Sequence, residues 1–165
     1  MSLFVHLFLH VFTALLAGFV TWFFFGNPLL SFLGGILGGV LIDLDHLIDY
    51  FLAFRYRWKL SYFLKGYQFL KSDKIYILFH GWEYVILLTG SIWFIIGMDS
   101  RLGVIFLSFC LGMFFHLVVD VCVNQGVSFK TYSFLYRLRY GFDVEKLVTF
   151  EHYKNHVDQK KLINL

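Results

Sequence analysis

The sequence predicts an all-α integral membrane protein: a bundle of about four transmembrane helices with an interfacial amphipathic segment and a helical cytoplasmic tail. The first observation is composition, since 59% of the 165 residues are hydrophobic and only 15% are charged. Soluble domains are usually about 45–50% apolar and about 25% charged. The other two observations are four long apolar segments and a one-sided distribution of basic residues.

Four segments have the length of about 20 apolar residues that is needed to cross about 30 Å of hydrocarbon. They are Leu3–Phe25, Leu29–Phe54, Ile75–Met98 and Leu102–Val123. A turn at residues 26–28 (Gly-Asn-Pro) makes the first two antiparallel neighbours, and a short polar break at residues 99–101 joins the last two. The first segment has no basic n-region and is too long for a signal-peptide core, so we expect it to remain as a helix.

The second segment carries small residues that would let a neighbouring helix approach closely in lipid. They are Gly34, Gly35, Gly38 and Gly39. We found no internal repeat and no Pro/Ser-rich linker. We therefore expect residues 1–126 to form the bundle, and residues 127–165 to form a basic and aromatic cytoplasmic tail that packs on the membrane surface.

The basic residues predict the orientation of the bundle. Residues 1–54 contain no Lys or Arg, and thirteen of the fourteen basic residues lie either in the loop at residues 55–74 or in the tail. Only Arg101 lies on the opposite side. Because loops rich in Lys and Arg stay in the cytoplasm, we expect a multi-pass protein of a prokaryotic plasma membrane with both termini cytoplasmic.

The loop at residues 55–74 interleaves cations with aromatic residues, which is typical of a helix in the headgroup region. We expect contact with membrane lipids, and anionic headgroups are the specific partners that its cations would bind. The cations concerned are Arg55, Arg57, Lys59 and Lys65. Anchoring of the topology alone is the alternative. We do not expect nucleic-acid binding, because these cations flank the membrane rather than cover a soluble face.

Ionisable side chains lie inside all four segments, where they mark function because placing them in lipid is costly. Inserting one carboxylate at the centre of a transmembrane helix costs about 2.5–3.5 kcal/mol, so inserting four carboxylates would cost roughly 10 kcal/mol. The segments contain no Lys or Arg to neutralise them, which leaves bound protons or a bound cation. The accompanying histidines favour a metal. The residues are His6, His10, Asp43, Asp45, His46, Asp49, His80, Glu83, His116 and Asp120.

Most of these side chains are predicted to converge in one layer. Counting about 1.5 Å per residue from the cytoplasmic ends puts them roughly 10–14 Å below the surface. Residues three or four apart also share one face of a helix. The pairs concerned are Asp43 with His46, His80 with Glu83, and His116 with Asp120, and His10 lies at a similar depth. Together they predict one buried metal site in the bundle.

In these motifs the chain resembles the membrane-bound metal-dependent hydrolases, over about residues 6–124. The shared features are His10 followed by Ala14 and Gly18, the glycine-rich run into Asp43-Leu44-Asp45-His46, the His80 and Glu83 pair, and His116-x-x-x-Asp120. Ile42 replaces the proline that usually precedes the first Asp, and Phe79-His80-Gly81 lacks the usual His-Arg pair. The last motif is also similar, more loosely, to the zinc-dependent phospholipase C fold.

The resemblance implies a divalent metal cofactor, with one or more zinc ions as the first expectation and manganese as the alternative. The implied ligands are His10, Asp43, Asp45, His46, His80, His116 and Asp120. Asp45 points about 100° away from His46 and is also a candidate for a second metal or for supporting a ligand. Glu83 and Asp45 are the candidate general bases, since a carboxylate that binds no metal can accept a proton from water.

Other polar residues have ordinary explanations. His6 lies shallower than the predicted layer and is expected to be a helix contact. Asp49 is near the interface and is expected to be solvated or paired. His152 and His156 lie in a polar helix and are expected to be solvated, with capping of the metal site as the alternative.

The function that these expectations predict is a membrane-embedded hydrolase that uses a metal-activated water on a phosphoester of a lipid or lipid-linked substrate. Two alternatives stay open. One is a non-enzymatic membrane protein with a structural metal. The other is a transporter of protons or divalent cations, which the apolar outer halves of the segments disfavour. The sequence does not specify the substrate, the number of metal ions or the oligomeric state.

Overall fold

The computed structural model describes residues 3–98 and 100–163, and Asp99, in the predicted polar break, lies outside them. In this part of the chain the regular structure is helical and contains no strand, which confirms the all-α prediction. The α-helices are α1 (Leu3–Phe25), α2 (Pro28–Gly39), α3 (His46–Phe54), α4 (Leu60–Leu64), α5 (Tyr67–Ser72), α6 (Trp82–Met98), α7 (Ser100–Val123), α8 (Phe134–Arg139), α9 (Val144–Leu147) and α10 (Phe150–Ile163). Two 3₁₀ turns span Leu41–Asp45 and Phe129–Tyr132.

The chain divides into two compact units. The first unit comprises Met1–Ile42 and Gly81–Val123, and therefore contains α1, α2, α6 and α7. The second unit comprises Asp43–His80 and Asn124–Leu165, and contains α3 to α5 and α8 to α10. Each unit thus combines segments that are distant in the sequence.

In the first unit, the predicted turn between α1 and α2 is present. Gly26 adopts a φ of 70°, a conformation that costs glycine little, and Pro28 occupies the first turn of α2. The side chain of Asn27 caps α2 by accepting a hydrogen bond from the amide of Leu30 at 3.2 Å. These residues explain why the helix ends and restarts at this place.

Glycines let α2 pack directly on the backbones of α1 and α7. A Cβ added at Gly34 or Gly38 would overlap a carbonyl of α7, and one added at Gly35 would overlap the carbonyl of Ala14 in α1. The hydroxyl of Ser108 in α7 donates to the carbonyl of Ser31 in α2. The close approach predicted from the small residues is therefore confirmed, and it fixes the spacing of α1, α2 and α7.

Three segments are long and apolar enough to cross a membrane, namely Phe4–Phe25, Pro28–Phe54 and Ser100–Val123. The helix Trp82–Ile92 is apolar but shorter. The outward side chains of α1 are apolar, as contact with lipid requires; they include Phe4, Phe8, Phe12, Phe23 and Phe24. The chain thus has the helices of a membrane protein, and a fourth span stays a prediction.

The predicted third segment is wrong at its start, because α6 begins at Trp82 and not at Ile75. Residues 75–81 form a loop, in which Ile77 has a φ of 28° that no α-helix contains. The carboxylates of Asp45 and Asp49 accept amide hydrogen bonds from this loop. Side chains therefore satisfy backbone groups that a helix would have paired internally.

The segment at residues 55–74 forms two short helices, α4 and α5, in place of the single helix predicted there. The turn that follows α3 is closed by the buried Tyr50, whose hydroxyl donates to the carbonyl of Arg57 at 2.9 Å. The same hydroxyl accepts from the amide of Lys59 at 2.8 Å. These two hydrogen bonds hold the backbone of the turn at the end of α3.

Candidate metal centre

The predicted ligands form one group in each unit. The His80 group, in the second unit, consists of Asp43, Asp45, His46 and His80. The His116 group, in the first unit, consists of His6, His10, His116 and Asp120. Three members of each group offer ligand atoms that all lie within 4.8 Å of one another: Asp43, His46 and His80 in one, and His6, His10 and Asp120 in the other.

In the His80 group, two imidazoles face one carboxylate oxygen. Nε2 of His80 lies 3.3 Å from Oδ1 of Asp43, and Nε2 of His46 lies 3.4 Å from the same oxygen. Two ligands bound tetrahedrally to zinc at 2.0–2.1 Å are about 3.3 Å apart. Good charged hydrogen bonds are shorter, at about 2.7–2.9 Å. Both separations are therefore closer to the spacing of two ligands on one metal ion than to that of a good charged hydrogen bond.

The orientation of His80 is fixed by Asp45. Nδ1 of His80 lies 2.9 Å from Oδ2 of Asp45, and this oxygen also accepts the amide of Phe79 at 2.7 Å. Because an ionised carboxylate only accepts, Nδ1 is the hydrogen-bond donor to Asp45, and Nε2 is the nitrogen that faces Asp43. A histidine whose second nitrogen donates to a carboxylate is the usual arrangement around a protein-bound metal.

The His80 group is buried on one side and open on the other. The side chains of His80 and Asp45 are fully buried, whereas those of Asp43 and His46 are each 29% exposed. The buried pair can therefore act as a fixed support, while Asp43 and His46 are the members of the group that solvent reaches. Within the described residues, Oδ1 of Asp45 is buried and has no hydrogen-bond partner.

The loop that carries His80 is held by charged side chains. Oδ1 and Oδ2 of Asp49 accept the amides of Tyr76 and Ile77 at 3.0 and 2.9 Å. A positive group binds the carbonyls of the same loop: the guanidinium of Arg137 donates to Ile77 and His80 at 2.9 and 2.8 Å. Negative groups thus meet amides and a positive group meets carbonyls, so the loop has a defined conformation.

In the His116 group, α1 and α7 bring three histidines around Asp120. Oδ1 of Asp120 lies 3.3 Å from Nε2 of His10 and 3.7 Å from Nε2 of His6, and Oδ2 lies 3.5 Å from Nε2 of His116. The Nε2 atoms of His6 and His10 are 2.9 Å apart. These separations lie on both sides of the tetrahedral value of about 3.3 Å. His6, predicted to be only a helix contact, therefore faces the same atoms as His10.

The tautomer of His116 is set by the backbone. Its Nδ1 donates to the carbonyl of Gly39 at 2.9 Å, so Nε2 is the nitrogen that faces Asp120. His116 and His10 are buried and their rings stack at a centroid distance of 3.9 Å. As with His80, a fixed donor on one side of the ring leaves the other nitrogen available as a ligand.

The structure thus brings His10, His116 and Asp120 together in one unit, and Asp43, His46 and His80 together in the other. Buried His/Asp clusters that could hold a metal ion are therefore present. The prediction that His80 and Glu83 form a helical pair is wrong, because His80 lies in the loop before α6. Glu83 lies half-buried in the first turn of α6. One common layer of ligands, and the catalytic roles of Glu83 and Asp45, stay predictions.

Two other polar residues differ in part from expectation. Asp49 is buried and paired with backbone amides, so the paired state is confirmed and the solvated alternative is wrong. His156, also predicted to be solvated, is buried against Asp73, with Nε2 3.0 Å from Oδ1, while His152 is exposed. Burial acts to raise the pKa of Asp73, but hydrogen bonds from Lys160 and His156 outweigh it, and the pKa lies below its ordinary value.

Sequence reasoning missed Arg137, which it placed among the cations of the tail. Its flanking residues Tyr136 and Leu138 were the only signal, since a cation within an apolar stretch is a candidate for burial. Asp49 had a clearer signal, because it follows Asp45 by four residues and so points to the same side of a helix. The loop cations Arg55, Arg57, Lys59 and Lys65 are exposed, as lipid contact would require.

Comparisons of the chain with protein-family models, with curated proteins and with solved structures find no match. Membership of the membrane-bound metal-dependent hydrolases therefore stays a prediction, and the case for function rests on the side chains described above.

Proposed function

We propose that the protein is a membrane-embedded, metal-dependent hydrolase that cleaves a phosphoester of a lipid or lipid-linked substrate. The observation that carries the proposal is the His80 group, in which two imidazoles and a carboxylate are spaced as metal ligands and one imidazole is fixed by a buried carboxylate. Asp43, His46 and His80 would hold a metal there, and His10, His116 and Asp120 would hold one in the other unit.

Zinc is the proposed metal, because imidazole-rich sites suit zinc better than they suit magnesium or calcium, and manganese is the alternative. Such a metal polarises a phosphoryl oxygen and brings the pKa of a bound water towards about 7. The open side of the His80 group, at Asp43 and His46, is where water and substrate would enter.

The two candidate bases take different roles in this proposal. Oδ2 of Asp45 already accepts two hydrogen bonds, so Asp45 orients His80 and preserves its tautomer. Glu83 lies half-buried in the first turn of α6. We assign to Glu83 the acceptance of the proton from the attacking water.

A substrate within the membrane is supported by the apolar helices and by the exposed cations that follow α3 in the chain. Arg55, Arg57, Lys59 and Lys65 would bind the anionic head of the substrate. Lys59 and Lys65 also lie over the rings of Tyr62 and Tyr67, at 4.7 and 5.8 Å from the ring centroids. Aromatic rings and cations in one segment are typical of the membrane interface.

The first test is metal content. The protein is purified in detergent without a histidine tag, and bound metals are measured by elemental analysis for the parent, Asp43→Ala, His116→Ala and the exposed control Asp158→Ala. We expect near-stoichiometric zinc or manganese in the parent and the control, and less in each of the other two variants. A parent without divalent metal would overturn the proposal and favour protonated carboxylates, as in a proton-coupled transporter.

The second test is hydrolysis in mixed micelles of phosphatidic acid, of a phosphodiester phospholipid and of a polyprenyl pyrophosphate. We expect release of phosphate or headgroup from one class, with Glu83→Gln retaining metal but losing turnover. A metal-loaded parent that cleaves none of the three classes would favour the structural-metal alternative.

A further inference from the structure

We propose that Arg137 is a positioning residue of the metal centre: its guanidinium holds the loop that presents His80 as a ligand. The C-terminal part of the chain would then be required for metal binding at the His80 group. This inference rests on the proposed function, because it concerns the same metal centre.

Arg137 binds both ends of the turn that contains His80. Its side chain is fully buried, with Nη1 donating to the carbonyl of His80 at 2.8 Å and Nη2 donating to the carbonyl of Ile77 at 2.9 Å. Nη1 also donates to the carbonyl of Thr131 at 2.7 Å, just before α8. A planar guanidinium presents its donors in a fixed fork, so this contact defines the distance and direction between the two carbonyls.

The same loop is tied to the chain that follows α8. The amide of Ile75 donates to the carbonyl of Phe142 at 2.9 Å, and the amide of Val144 donates to the carbonyl of Asp73 at 3.1 Å. Nζ of Lys74 lies 2.7 Å from Oδ1 of Asp143. Several contacts therefore join residues 73–80 to residues 131–144. Among the contacts named here, those of Arg137 include the ligand residue His80 itself.

The conformation of the loop explains why a strong support is needed. Ile77 has a φ of 28°, which a β-branched residue rarely adopts and which persists only where several contacts enforce it. Asp49 holds the amide of Ile77 and Arg137 holds its carbonyl. Burying a guanidinium is costly, and an apolar side chain would serve packing alone at lower cost. The hydrogen bonds to Ile77 and His80 offset this cost, and they place the imidazole of His80.

The test compares Arg137→Lys and Arg137→Met with Arg139→Lys and Arg139→Met. Arg139 is an exposed arginine on the same helix and is the matched control. Zinc affinity is measured by competition with a chromogenic chelator, and the visible absorption spectrum is recorded after cobalt substitution. Lysine keeps the charge but cannot span two carbonyls, so we expect Arg137→Lys to lose about 10–100-fold in affinity, as other residues that orient metal ligands do. Its cobalt spectrum should shift, and the Arg139 variants should match the parent.

The cobalt spectrum separates positioning from general stability. A purely structural role would lower the melting temperature of Arg137→Lys but leave the spectrum and affinity of the bound metal unchanged, and that result would overturn the inference. If Arg137→Met does not fold, Arg137→Lys alone decides. A parent that binds no metal would overturn the proposed function and this inference together, whereas a metal-binding parent matched by Arg137→Lys would overturn this inference alone.

Discussion

His80 and Asp45 share a hydrogen bond of 2.9 Å between Nδ1 and Oδ2, and neither side chain is exposed to solvent. The Asp45 carboxylate therefore decides which nitrogen of His80 faces the candidate metal site. The same oxygen accepts the amide of Phe79, so Asp45 fixes the ring and the backbone of the ligand loop together.

Asp45→Asn tests this relationship with little change in shape. The amide can still accept a hydrogen bond, but it carries no charge and can turn its NH₂ group towards His80, which would favour the wrong tautomer. We expect zinc affinity to fall about 10–100-fold while the helical content stays the same. Chelator competition and circular dichroism measure the two quantities. Asp158→Asn, at an exposed position, is the control, and equal affinities in both variants would contradict the role of Asp45.

His6→Ala distinguishes a helix contact from a metal ligand. Because Nε2 of His6 lies 2.9 Å from Nε2 of His10 and 3.7 Å from Asp120, we expect loss of this ring to weaken metal binding at the His116 group by at least about 10-fold. Metal titration of the purified protein measures the effect, with His152→Ala as the control. Unchanged metal binding would return His6 to the role of a helix contact.

Gly38→Ala tests the packing of α2 on α7. The added methyl group would overlap the carbonyl of Phe109, and backbone cannot move aside as a side chain can. We expect a loss of about 1–3 kcal/mol in the free energy of unfolding, measured by denaturation in detergent. Gly90→Ala in α6 is the matched control, because within the described residues its methyl group would meet no atom beyond its own helix backbone and chain neighbours within 4 Å. There we expect a small gain, about 0.5–1 kcal/mol, from the better helix propensity of alanine.

The contact of α10 with Asp73 should depend on pH. Hydrogen bonds from Lys160 and His156 hold the pKa of Asp73 below its ordinary value, although partial burial acts to raise it. A carboxyl group with a lowered pKa in the folded state stabilises the fold above its unfolded-state pKa and loses this effect as the pH falls through the folded-state pKa. We therefore expect α10 to become more accessible to hydrogen exchange below about pH 4.

Asp73→Asn is the matched variant for this effect, since it should show raised exchange in α10 already at neutral pH and little further change on acidification. Because the Asp73 side chain is 49% exposed, we expect a local effect on α10 rather than global unfolding. An identical acid response in parent and variant would show that other groups control α10.

The sequence predicted the elements that depend on local signals. The turn at Gly26 and Asn27 needs only neighbouring residues, and the small residues of α2 indicate close packing wherever they fall on one helix. Pairs such as His116 and Asp120 follow from helical spacing. These features could be predicted because each one is encoded within about seven residues of the chain.

The loop that carries His80 could not be predicted in the same way. Residues 75–81 are apolar enough to continue a helix, and only the distant groups of Asp49 and Arg137 make a different backbone favourable. The hydrogen bonds between Arg137 and the loop join residues 57 and 60 positions apart. Hydropathy measures the side chains of a segment, whereas the conformation here depends on which distant partners its backbone finds.

The end of α2 has a consequence for proton chemistry. In an uninterrupted α-helix the carbonyl of Gly39 would accept the amide four residues further on, but at a helix end this oxygen can serve another donor, and His116 uses it. The residue at which α2 stops thereby determines which nitrogen of a histidine 77 positions away is protonated. Extending α2 past Val40 would occupy the Gly39 carbonyl within the helix and remove the acceptor that now holds the Nδ1 proton of His116. The length of α2 and the protonation of His116 are therefore linked through the carbonyl of Gly39.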